Sequence, residues 1–89
     1  MQPEAAETFA LKGLAHIAGD DDTLRKFLIL TGLEPADLRG RAGNPELLAA
    51  VMDFLLADDV RLSSFCEAVD ITPEQAHAVR RALPGASYG

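Results

Sequence analysis

The chain has 89 residues, enough for one domain that buries roughly 60–65% of its unfolded surface and too few for a second. Its 14 acidic and 8 basic residues leave a formal charge of −6, which disfavours non-specific binding to nucleic acid or to anionic membranes. Hydrophobic residues make up 48% but aromatic ones only 6%, so the core must be mainly aliphatic, and a single cysteine, Cys66, excludes an intrachain disulfide.

Pro3 at a first helical turn, Glu4 and Glu7 behind it, and the stripe Ala6, Phe9, Ala10, Gly13, Leu14, Ile17 predict a first amphipathic helix, ended by Gly19. The segment Met1 to Glu7 carries no basic residue and does not read as the cationic opening of a signal peptide, so a cytoplasmic protein is expected. Asp20, Asp21 and Asp22 offer caps and favourable charge to a second helix with the stripe Leu24, Phe27, Leu28, Thr31, stopped by Gly32. Leu33 then turns inward, and Pro35 starts a short third helix reaching about Arg41.

Asn44, Pro45 and Glu46 open a fourth helix that runs to about Ala57. It is apolar nearly all round and is expected at the centre, with the more polar first helix outside it. Its stretch Leu47 to Ala57 is interrupted by Asp53 and is about half the length of a membrane span. Asp58 and Asp59 head a fifth helix with the stripe Leu62, Phe65, Cys66, Val69, closed by Asp70. Thr72, Pro73 and Gln75 form a capping-box start for a last helix to about Leu83, and residues 84–89 read as a flexible tail. No segment alternates with period two over strand length.

Asp20, Asp21, Leu24, Phe27 and Pro35 recur 38 positions later as Asp58, Asp59, Leu62, Phe65 and Pro73. The expected fold is therefore all-α, a compact bundle of five or six short helices forming one domain over 1–83, with the outline of two three-helix units, 3–43 and 44–83. Cys66 falls on Leu28 in this register, a stripe position, so it reads as a small core residue and not as a nucleophile. The aspartate cluster with His16 one turn before it reads as helix caps, since consecutive carboxylates lack the alternate spacing of a calcium loop.

The segment Leu33 to Arg41, the Asn44-Pro45 start and the run Asp53 to Leu56, followed later by Arg80, Arg81, Ala82, Leu83, Pro84 and Gly85, resemble an uncharacterised family. Its members are small helical bacterial proteins, mainly alphaproteobacterial, that share a domain of unknown function. The resemblance implies no catalytic residues. Members are often encoded near a single-domain response regulator, which implies a signalling setting.

Two functional readings remain. Ile29 and Leu30 fall on Glu67 and Ala68, so the second helix carries more apolar residues than one core-facing stripe needs. Either that helix is buried on two sides, or Ile29 and Leu30, extended by Leu11, form a patch that a protein partner or a second copy covers. The alternative is a helix-turn-helix over Phe65 to Leu83, with Gln75 and His77 facing bases and Arg80 and Arg81 on phosphates. Glu74 and the net negative charge weigh against it. No phosphate-binding glycine loop, paired-cysteine motif or recognisable catalytic triad spacing is present, so a non-enzymatic protein without cofactor, metal or small-molecule ligand is expected.

Overall fold

The computed structural model describes residues 1–84, and these form six helices and no strand. They are α1 (Pro3–Ala18), α2 (Asp21–Thr31), α3 (Pro35–Arg41), α4 (Pro45–Leu56), α5 (Asp59–Val69) and α6 (Pro73–Arg81). Within these residues the fold is the expected all-α bundle, with a radius of gyration of 11.8 Å. The tail expected over 84–89 lies, from residue 85 onward, outside the described residues.

The helix boundaries repeat with the sequence. Shifting α2 by 38 residues gives the bounds of α5, and the ends of α1 and α4 and the starts of α3 and α6 coincide in the same register. The caps repeat as well. Gly32 after α2 and Asp70 after α5 both take the left-handed conformation, at φ 73° and 56°, and donate back to the carbonyls of Leu28 and Cys66. Thr72 and Gln75 make the expected capping box on α6, and Glu34 and Asp37 make another on α3. The Glu34 box is absent from the sequence expectation because Glu is an uncommon N-cap.

One cap departs from expectation. Asp58 accepts the Arg61 amide at 3.0 Å, whereas Asp20 caps no backbone amide and instead accepts the Thr23 hydroxyl at 2.6 Å. Thr23 and Arg61 are equivalent positions. The Thr23 hydroxyl competes for the carboxylate, and Arg61 has none with which to do so.

The core joins the two units. Phe27 and Phe65, equivalent in the repeat, are both fully buried, and they share one core cluster with Ile17, Leu48, Val51, Met52 and Leu55. A buried Phe contributes roughly 2–3 kcal/mol through removal from water. The fourth helix is central as expected, with seven buried residues and seams against α1, α2, α5 and α6.

The first helix is the less buried of the pair, as expected, with five of its 16 residues buried against seven of 12 in α4, yet it touches most of the bundle. It packs on α2, α4, α5 and α6, and its closest neighbour is α4. Of its buried positions, Ala6, Ala10 and Gly13 are small, and at Gly13 side chains of α4 and α5 come close. A Cβ on Gly13 would stand 3.0 Å from Leu55 Cδ1 and 3.3 Å from Val51 Cγ1. Lys12 and His16 fit on α1 because they sit off this seam: Lys12 Nζ lies 5.4 Å over the Phe9 ring, and His16 Nε2 is 3.1 Å from Ser64 Oγ.

The units differ in their third helices. In the second unit α6 packs against α1, α4 and α5 through Ala76 and Val79, and Leu83 beyond it is also buried. In the first unit α3 buries no residue fully and forms no comparable seam with any helix; Leu33, Leu38 and Ala42 are only partly covered. Arg41 stands in the register of Val79, and a charged residue there cannot serve as a core contact.

Candidate functional site

The stand-off of α3 opens a trough along α4. Its first half, about 320 Å³, lies between Thr31, Leu33, Asp37, Arg41, Leu47 and Ala50. Its second half, about 280 Å³, lies between Leu30, Thr31, Ala50, Phe54, Ala57 and Arg61. Thr31 and Ala50 line both, so the two hollows adjoin beside α2 and are taken together as the trough.

Ile29 and Leu30 stand on the solvent side of α2, at 73% and 71% exposure. The core needs only Phe27 fully buried from this helix, with Leu24 partly buried against it. Ile29 and Leu30 are therefore surplus to the fold, and the choice left open by the sequence resolves as exposure. Leu30 is both part of the exposed ridge and a wall of the trough. Leu11 is exposed at 41% on α1 but lines neither half of the trough.

Arg61, which sequence reasoning missed, organises the α5 end of the trough. Its guanidinium carbon lies 4.0 Å over the Phe54 ring and its Nη2 is 3.8 Å from Asp58, while Nε is buried without a hydrogen-bond partner. The mismatch with its counterpart Thr23 was the available signal. Val60, at 79% exposure, was also missed. It stands where the first unit has Asp22, and that mismatch was the available signal.

A second cleft, about 430 Å³, lies where α1 ends against α2 and α5, with His16, Asp20, Thr23, Arg61 and Ser64 at its walls. His16 and Ser64 are hydrogen-bonded, but the nearby Asp20 carboxylate is engaged by Thr23. Among the described residues no three His, Cys, Asp or Glu side chains converge as a metal site would require. Cys66 is buried in the core, and that burial pushes its thiol above its ordinary value of 9.0. The thiolate form needed for nucleophilic chemistry is thereby disfavoured.

The residues of the helix-turn-helix alternative are largely engaged within the protein. Arg80 donates from Nε to Asp53 at 2.6 Å and from Nη1 to the Pro84 carbonyl at 2.9 Å. Gln75 accepts the Thr72 amide in the capping box. His77 and Arg81 are exposed on α6, so the four side chains do not form one free polar edge.

A family model described as "Protein of unknown function (DUF3572)" matches residues 3–86. The chain belongs to the DUF3572 family. The match takes in both units, so the six helices, the trough and the exposed α2 ridge all lie within the DUF3572 domain. No curated protein and no solved structure matches the chain. Among the described residues no helix is long and apolar enough to cross a membrane.

Proposed function

We propose that this DUF3572 protein is a non-enzymatic interaction module whose working surface is the outward face of α2 together with the trough beside it. The observation that carries this reading is the pair Ile29 and Leu30, adjacent, about three-quarters exposed, and unused by the core. Scattered exposed apolar residues are ordinary, but two adjoining an apolar trough make a patch, and such patches mark contact surfaces. The setting we propose is the cytoplasm, which suits a single reduced thiol held in the core, and the finer reading of a signalling partner rests on the family resemblance alone.

The test is affinity purification from the native host with wild-type and Ile29→Glu baits, read by mass spectrometry. Loss of specific partners in the variant, with helicity by circular dichroism unchanged, supports the reading. Identical partner sets from both baits, with no change in oligomeric state, defeat it.

A further inference from the structure

We infer that α3 is a hinged lid on the first half of the trough, coming away from α4 as one unit that turns at Gly32 and Gly43 while the other five helices stay folded. This rests on the reading of the trough as part of a contact surface and names what controls access to it.

The repeat supplies the comparison, because α6 is the same element fixed in place. The two helices start alike, each with a proline in its first turn and a capping box, Glu34 with Asp37 and Thr72 with Gln75. They part at the other end. Val79 is fully buried in the core, whereas its counterpart Arg41 is exposed. Arg80 donates to Asp53 of α4 at 2.6 Å, whereas its counterpart Ala42 has no side-chain donor. Leu83 is buried just beyond α6, whereas its counterpart Pro45 is exposed at the start of α4. The ties made by Val79, Arg80 and Leu83 are thus all missing from α3. Gly40 also stands where α6 has Ala78, so α3 is the weaker helix former.

What still holds α3 is slight. Leu33, Leu38 and Ala42 are only partly buried against the core, and a helix of seven residues does not persist without packing. Segments with so few buried contacts are the ones that open locally. The charges set the direction of movement. Closing inward onto α4 would draw Asp37, Arg41 and Glu46 out of water, so the free movement is outward.

Both joints are unobstructed. A Cβ built on Gly32 or on Gly43 would meet nothing within 4 Å, and Gly32 already takes the left-handed conformation. Swung out, α3 carries the Asp37 and Arg41 wall with it and leaves Leu47 and Ala50 open to an occupant. An occupant that uses this wider hollow binds the open state better and so draws the lid open.

Native-state amide hydrogen exchange on the full chain, followed by NMR from zero to low urea and corrected for intrinsic rates, tests this. The amides of Leu38, Arg39, Gly40 and Arg41 should exchange at least about tenfold faster than those of Ala76, His77, Ala78 and Val79 at the equivalent positions. The α3 set should share one opening with little dependence on urea, while the α6 set follows global unfolding with its steep dependence. Gly40→Ala, at a site where the added methyl meets nothing, should slow the whole α3 set by about fivefold.

Exchange of α3 in step with α6, at one urea slope, overturns the lid. So does exchange graded along α3 and fastest at Arg41, since that describes a fraying end and not a unit. Neither result bears on the Ile29→Glu bait comparison, which reads the contact surface separately.

Discussion

Gly32 and Asp70, 38 residues apart, close equivalent helices in the same left-handed conformation, one at φ 73° and the other at 56°. Glycine holds this geometry without steric cost, whereas a side chain there is strained by about 1 kcal/mol. Nothing lies within 4 Å of a Cβ built on Gly32, so backbone strain alone sets the cost of substitution. Gly32→Ala should lower stability by about 1 kcal/mol in urea unfolding. Asp70→Gly should be neutral or stabilising by a few tenths, since relief of strain is offset by greater freedom of the unfolded chain.

Arg80 ties α6 to α4 through Asp53 and gathers the chain end through the Leu83 and Pro84 carbonyls. The Arg80 side chain is only 16% exposed, but Asp53 is 60% exposed, so water screens much of the pair. Arg80→Ala should cost about 1 kcal/mol, with a measurable coupling to Asp53→Ala in a double-mutant cycle. Arg81→Ala, one residue on and exposed, should stay within about 0.5 kcal/mol of wild type.

Asp20 and Asp58 head equivalent helices and both titrate below the ordinary 3.8, for different first reasons. The Thr23 hydroxyl holds Asp20 down, while the Arg61 backbone amide holds Asp58 down. Lowered folded values mean that the stabilisation is complete above about pH 4 and is lost as the pH falls through the folded values. Thr23→Ala should return the Asp20 carboxyl upward in an NMR titration and leave Asp58 in place. Arg61→Lys should leave Asp58 still below 3.8, because its main donor is backbone.

Cys66 occupies the Leu28 position of the repeat and is 6% exposed. Burial lifts its thiol above 9.0, and access is closed in the native state. Alkylation at neutral pH should therefore be slow for the folded chain and should accelerate through the unfolding transition. Rapid modification of native protein would contradict the core assignment.

Much of this fold was legible because local signals and the repeat agreed. Pro3, Pro35, Pro45 and Pro73 each stand at the first helical position, and the ends of α2 and α5 coincide in the register of Phe27 and Phe65. What was not legible depended on long-range packing. Lys12 and His16 marked α1 as the outer of the two equivalent helices, which its burial bears out, but not that its inward face would meet four other helices. The trough was equally hidden, because only the absence of an α6-like seam on α3 creates it. The exposure of Ile29 and Leu30 was posed by the sequence as one of two outcomes, and the shape of the bundle decided between them.

The α1–α4 crossing offers the sharpest test of the packing. A Cβ on Gly13 would meet Leu55, Val51 and Phe65 at 3.0, 3.3 and 3.4 Å. Leu55, Val51 and Phe65 are fully buried, so none has room to withdraw far. Alanine adds one methyl and gains roughly 1 kcal/mol of helix propensity, which offsets part of the crowding. Valine adds two further methyls with a restricted rotamer and no further gain. Gly13→Val should therefore destabilise the chain by about 1–3 kcal/mol, and Gly13→Ala by clearly less. Chemical unfolding of both variants measures the difference, and equal stabilities for valine and glycine would mean that α1 and α4 do not cross at this point.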